Sequence, residues 1–177
     1  MARHCKRFCL LFAAAWLLGG HAVAHAYEEQ ASLDMALGYA SLVGSDYRLR
    51  QGAAAELGAG VGVSEHVVLR GNVGYATLVG RDDIQPTGRL RIEALYLLDV
   101  LQVVPFFGLG ATVTTADDSA ARVPLRAGGH LLLGVDYLLS RSWVFGVDLR
   151  SALLAEGPHL RSATDLSLRL SRMFETF

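Results

Sequence analysis

Gly88-Arg89-Leu90-Arg91-Ile92-Glu93-Ala94-Leu95-Tyr96 decides the fold. Charged residues fall at every second position and apolar ones stand between them. Wound as a helix, this stretch would put Arg89 and Glu93 on one side and Arg91 on the other, with apolar residues beside both. Drawn out as a strand, it sends Arg89, Arg91 and Glu93 to one side and Leu90, Ile92, Ala94 and Tyr96 to the other.

The same period of two runs outward from this segment to nearly the whole chain. Eight stretches carry it, at about 31–43, 52–64, 67–79, 88–99, 102–114, 124–139, 143–154 and 163–174. Roughly nine to eleven residues per tilted strand suffice to cross a bilayer. One face is bulky and uncharged throughout, for example Leu33, Met35, Leu37 and Tyr39, or Leu131, Leu133, Val135 and Tyr137. The other face collects Asp34, Glu56, Arg70, Arg89, Arg91, Glu93, Asp136, Asp148, Arg150, Asp165 and Arg169, interspersed with glycines such as Gly58, Gly60, Gly62, Gly134 and Gly146.

This partition is inverted relative to a soluble barrel. A water-soluble barrel fills its centre with bulk and turns its charges outward. Here the charged face is the one with small residues, which suit the crowded inside of a narrow barrel. A basic residue on the lipid side costs roughly 2–4 kcal/mol at the midplane. Turning five arginines outward is therefore excluded, and a one-residue slip in register would do that. An open sheet edge in lipid leaves backbone groups unpaired, so the sheet must close. The expected fold is all-β, an eight-stranded antiparallel up-and-down transmembrane β-barrel. Tyr39 and Tyr75 fall towards one end of it, and Tyr96, Tyr137, Trp143 and Phe174 towards the other, as interfacial aromatic girdles would.

Connectors alternate in length. Residues 64–66, 99–101 and 140–142 read as tight turns, whereas 44–51, 80–87, 115–123 and 155–162 read as longer loops. Pro86, Pro124 and Pro158 lie in or beside those loops, and Pro105 falls early in the fifth strand, where a missing ladder donor is tolerable. Short turns on one side and longer loops on the other is the layout of an outer-membrane barrel. It places the short turns and both termini in the periplasm.

The N-terminus carries the export expectation. Arg3, Lys6 and Arg7 precede an apolar run from Phe8 to Gly20, and Ala24-His25-Ala26 has the small-residue cleavage pattern. Residues 1–26 read as a cleaved signal peptide, with Ala24 as the second choice of cut, and 27–177 as the barrel domain. Both cysteines, Cys5 and Cys9, lie in the leader, so the mature chain has no disulfide and no thiolate metal site. Lys6 is the only lysine, and the mature chain is mildly acidic. No basic nucleic-acid-binding face is indicated.

Two strands carry a family resemblance. Val104-Pro105-Phe106-Phe107-Gly108-Leu109-Gly110-Ala111 resembles the proline–aromatic strand with two spaced glycines of the small outer-membrane β-barrels typified by the transmembrane domain of outer membrane protein A. Gly134-Val135-Asp136-Tyr137 resembles that family's glycine–acid–tyrosine strand end before a short turn. The resemblance spans the mature chain. It implies eight strands, periplasmic termini, contact with outer-membrane lipids and lipopolysaccharide, and insertion by the barrel assembly machinery. Members of the family end on an aromatic residue. Here Phe177 is terminal, but Phe174 shares the alternation of Leu166, Leu168 and Leu170, so both stand as candidates for the assembly signal.

Six acids and five arginines share a narrow interior, and buried charges must be paired. The expected result is a lumen plugged by ion pairs and a structural, envelope-integrity role. The alternatives are a small pore or a port for small or apolar solutes and, less favoured, a lipid A-modifying rim enzyme. His130 faces the lumen without a nucleophile beside it in sequence, and His159 stands in a loop, so no nucleophile–base constellation supports the enzyme. No catalytic, cofactor or metal-ligand spacing is present, and the Gly58–Gly62 glycines are strand-like rather than a phosphate loop. Asp82-Asp83 and Asp117-Asp118 read as solvated acidic loop tips, with divalent-cation bridging to lipopolysaccharide as the alternative.

Overall fold

The computed structural model describes residues 30–44, 48–81, 83–98, 102–116, 125–157 and 159–175. The leader with Cys5 and Cys9, Asp82, the 99–101 turn, Asp117-Asp118, Pro124, Pro158 and Phe177 lie outside them. Eight strands follow in order: β1 (Gln30–Val43), β2 (Leu49–Ser64), β3 (Val67–Val79), β4 (Ile84–Leu97), β5 (Val103–Ala116), β6 (Leu125–Leu138), β7 (Trp143–Glu156) and β8 (His159–Glu175). Each pairs antiparallel with its neighbour, and β1 pairs with β8, closing the barrel. Closure leaves no free edge, which is what lipid demands of a sheet.

The alternation of each strand maps onto the wall. Leu33, Met35, Leu37, Leu90, Ile92, Leu131 and Leu133 stand outside and are more than half exposed, while all eleven charged positions named above are buried inside. An exterior so uniformly apolar is unsuited to water and suited to hydrocarbon. With 13 to 17 residues each, the strands exceed the roughly 9–11 needed to cross, so their ends project past the hydrocarbon.

The chain termini and the short turns share one end of the barrel, here the turn end; the opposite end is the loop end. Several connectors are shorter than the sequence implies. The stretch 155–162, expected as a loop, is almost entirely strand: β7 and β8 pair up to Glu156↔His159, leaving two residues between them. Gly157, at φ +58°, supplies the left-handed turn that such a hairpin needs. Similarly β2 begins at Leu49 and β4 at Ile84, which absorbs parts of 44–51 and 80–87.

Pro86 corrects the sequence reading. It lies inside β4, opposite Thr77 of β3, and not in a loop. The β4–β5 ladder ends at Thr87↔Ala116, so Pro86 stands past the point where a donor is required on that side. Pro105 behaves likewise. It pairs with Val135 of β6, lies beyond the final β4–β5 pair Leu97↔Phe106, and contributes its carbonyl to Leu98 N–H at 2.9 Å.

Candidate functional site

The barrel interior is the candidate site. Its middle is one connected ladder of charges. Starting from the loop end, Arg89 NH1 donates to Asp165 Oδ1 at 2.8 Å, and Asp165 in turn accepts from Arg91. Arg91 also donates to Glu56. Glu56 Oε2 lies 3.9 Å from Arg150 NH1, the contact that joins the two halves of the ladder.

Glu93 is the hub below this junction. Its Oε1 accepts from Arg150 Nε at 2.7 Å and lies 3.2 Å from His130 Nε2. Its Oε2 accepts from Arg70 Nε at 2.8 Å and from Asn72 Nδ2 at 3.2 Å. Asp148 Oδ2 accepts from Arg150 NH2 at 3.0 Å and from Arg70 NH2 at 3.4 Å, and it stands 3.4 Å from Arg169 Nε. Arg169 NH2 then donates to Asp136 Oδ1 at 2.5 Å, and its NH1 lies 3.8 Å from Asp34 Oδ1. Glu93 is 1 % exposed and Asp148 0 % exposed. Charges so removed from water persist only when partnered.

Register explains which partners meet. Arg70 and Glu93 are direct cross-strand neighbours and pair, whereas Arg150 and Asp165, also neighbours, turn to other partners. Arg150 meets Asp148 along β7, Arg169 lies diagonally from Asp148 and Asp34 on adjacent strands, and pairs such as Arg89–Asp165 and Arg150–Glu93 reach across the lumen, where glycines make room. Gly146 is opposite Arg169 on β8; a Cβ there would stand 2.5 Å from Asp136 Oδ1 and 2.8 Å from Arg169 NH2.

The ladder is capped at both ends by apolar side chains that sequence reading missed. At the turn end, Val68, Leu95, Leu97, Val104, Phe106, Leu132, Val144 and Met173 form a buried cluster. Phe106 lies over Gly134, whose missing Cβ leaves space for the ring. At the loop end, Ala40, Leu42, Ala76, Leu78, Ala152, Leu154 and Ala163 form a second one. The signal was available, because each of these apolar residues occupies an inward register position. It was masked because charges and glycines share the same face.

Each cap leaves one side of the lumen polar. At the loop end, Thr87, Thr112, Thr114 and Arg126 line a cavity of about 20 Å³. At the turn end a cavity of about 30 Å³ is bordered by Gln30, Ser32 and Asp34 of β1. Either is large enough for a water or two. The loop-end rim carries further ion pairs: Arg50 with Asp83 at 3.0 Å, and Glu156 with Arg126 at 3.0 Å and Arg161 at 2.5 Å.

On the outer wall, Tyr39 donates to Gln51 Oε1 at 2.6 Å, and Tyr75 is exposed near the same end. Tyr96 stacks on His66 and meets Phe107, and Tyr137 accepts from Gln102 Nε2 at 2.8 Å. Arg172, not singled out in the sequence, is the charged residue that faces outward there. Its guanidinium stands 5.8 Å from the Trp143 ring centroid and 5.4 Å from that of Phe174.

No family model matches the chain, and no curated protein matches it by sequence. Solved structures do match its architecture. Neisserial surface protein A aligns with a TM-score of 0.65 at 16 % identity, covering 83 % of this chain and 97 % of that one. The N-terminal β-barrel domain of OprF from Pseudomonas aeruginosa aligns at 0.59 and 12 % identity, over 83 % and 98 % of the two chains. OprG, an outer membrane protein of the same organism, aligns at 0.58 and 12 %, over 85 % and 99 %. The chain thus has the fold of the small eight-stranded outer-membrane β-barrels, a likeness of architecture without detectable sequence kinship.

Proposed function

We propose that this protein is an integral outer-membrane barrel with a sealed lumen and a structural, envelope-integrity role. The observation that carries the reading is the closed interior: an ion-pair ladder held between two apolar caps. A water-filled channel would need those caps parted and the charges hydrated. Narrow eight-stranded interiors are filled by side chains, and this one is filled with fixed charges.

In this reading residues 1–26 direct export and are removed, and the turn end with both termini faces the periplasm. Tyr39 and Tyr75 rest at the outer headgroup level. Tyr96, Tyr137, Trp143 and Phe174 rest at the inner one, with Arg172 reaching from the wall toward the headgroups. Lipid and lipopolysaccharide are then the standing partners, and the barrel assembly machinery a transient one.

A small pore is the second reading, favoured by the two polar cavities at opposite ends. It requires Arg150 and Glu56 to separate, the loosest joint in the ladder. Planar-bilayer recording decides between them. The sealed barrel shows no steady current at physiological voltage, and reproducible unitary openings would replace the structural reading with the pore. Insertion itself is checked on detergent gels, where unheated and boiled samples should run at different positions.

A further inference from the structure

Arg172 is the exception on the outer wall. Alternate positions of every strand face outward, from Leu33 on β1 to Leu170 on β8, and they hold apolar, small, hydroxyl or amide residues. Among the described residues, Arg172 is the one charged side chain in that set. A basic residue facing hydrocarbon is costly at the midplane, and the cost nearly vanishes at the headgroups. Arg172 stands close to the last residue of β8, Glu175, at the turn end. A charge is tolerated at that depth.

Its surroundings hold the guanidinium but give it nothing to bond. Its cross-strand partners are Trp143 on β7 and Leu33 on β1. The guanidinium carbon lies over two rings, 5.8 Å from the Trp143 centroid and 5.4 Å from that of Phe174. Ring contacts engage the faces of a guanidinium, whereas its five N–H donors lie in its plane. Among the described residues, none accepts from those donors or pairs with the charge. By contrast, Arg70, Arg150 and Arg169 in the lumen, and Arg50, Arg126 and Arg161 at the loop-end rim, each have a carboxylate oxygen within 3.0 Å. An acceptor for Arg172 therefore comes from what surrounds this face.

We infer that Arg172, steadied by Trp143 and Phe174, binds the phosphate of an anionic phospholipid in the leaflet at the turn end. The planar fork of N–H donors matches two phosphate oxygens at once. The two rings hold the fork in place and rest at the headgroup level, as interfacial aromatics do. A headgroup with net negative charge leaves its phosphate to Arg172, whereas the ammonium of a zwitterionic headgroup competes for it. The inference rests on the proposed membrane setting, and it holds whether or not the lumen conducts.

The test is native mass spectrometry of the barrel released from micelles that contain phosphatidylglycerol or, separately, phosphatidylcholine. The wild type should retain one phosphatidylglycerol about tenfold or more tightly than phosphatidylcholine, the scale of a charge-assisted hydrogen bond. Arg172→Gln should abolish that preference, and Arg172→Lys should keep only part of it, because an ammonium lacks the fork. Arg141→Gln, at an exposed turn arginine with no ring contact, should leave the preference intact. Equal retention of the two lipids by the wild type would overturn the inference. So would a full preference in Arg172→Gln, or equal losses in Arg172→Gln and Arg141→Gln, which would reduce the effect to general attraction between cations and anionic lipid. Inorganic phosphate at millimolar concentration should not displace the lipid, and displacement would assign Arg172 to a soluble anion instead. Should Arg172→Gln not fold, the wild type decides in mixed vesicles. Trp143 is the one tryptophan outside residues 1–26. Phosphatidylglycerol with brominated acyl chains should quench it more than brominated phosphatidylcholine at the same mole fraction, and equal quenching would refute the site. Neither readout reports on sealing, so failure here is distinct from failure of the sealed-lumen reading, which shows as steady current.

Discussion

The two ends of the lumen are closed by different means. The turn-end cap draws on six strands and on bulky side chains, with Phe106 and Leu97 nearly inaccessible. The loop-end cap draws on β1, β3, β7 and β8, and four of its seven members are alanines. Its open side, along β4 to β6, is lined by threonine hydroxyls that make no hydrogen bond within the protein. The turn end is thus a packed core in miniature, and the loop end a thinner seal with a wettable flank. The polar side of the turn end lies on β1, across the barrel from the loop-end flank on β4 to β6. Any continuous polar path must cross the lumen diagonally through Glu56, Arg150 and Glu93. Sealing is therefore a property of the offset between the caps as much as of either one.

The largest effect is expected where that diagonal crosses the hub. Glu93→Ala leaves the buried Arg70 and Arg150 to share Asp148, at a cost of about 4–5 kcal/mol, the upper part of the range for removing one partner of a buried pair. Urea unfolding in lipid vesicles measures it. A loss under about 1 kcal/mol would mean that water already hydrates the ladder, and the distinction between sealed ends and ionic middle would fail.

Next comes the turn-end cap. Phe106→Ala removes the ring that lies over Gly134 and should cost about 3–4 kcal/mol, because the surrounding Leu97, Leu132 and Val144 cannot collapse into the space. Leu154→Ala at the loop end should cost about 2 kcal/mol, since its neighbours are small and a polar cavity adjoins it. Equal costs for the two would erase the contrast between the ends. Sodium conductance sharpens it further: each single variant should remain closed, as the other cap still blocks the path, and steady current in either alone would show that one cap does all the sealing.

How much of this was legible in the sequence follows from what a strand encodes locally. Which face each residue takes depends only on parity. Asp34, Glu56 and the nine other charged positions could therefore be assigned to the inner wall from one chain, and so could Leu90 and Ile92 to the outer. Partners were not legible. Arg89 meets Asp165 across 76 residues, and no local period reports a contact across the lumen. The caps were illegible for a different reason. Leu95, Leu97, Val104 and Leu132 have inward parity but ordinary apolar character, and a rule that sorts bulk outward and charge inward has no place for them. Strand ends were misjudged where composition suggested loops. Pro86 and residues 155–156 and 159–162 remain extended because the neighbouring strands pair their backbones.

The smallest effect should come from outside the turn end, where the two ends differ again. Tyr96, Phe107, Tyr137, Trp143, Phe145 and Phe174 ring its exterior, against Tyr39 and Tyr75 near the loop end. Arg172 lies between two of these rings, with centroid distances of 5.8 and 5.4 Å. A guanidinium so placed gains roughly 0.5–1 kcal/mol at an exposed site. Arg172→Ala should lose about that much in vesicle unfolding, and Arg172→Lys should restore part of it, because an ammonium retains the attraction to the ring faces but not the flat stacking of the guanidinium. Tyr39→Phe, which deletes only the hydroxyl bond to Gln51, should cost about 0.5 kcal/mol or less. If Arg172→Ala instead cost as much as Leu154→Ala, the residue would be part of the seal, and the division between a lumen that closes and an exterior that anchors would have to be redrawn.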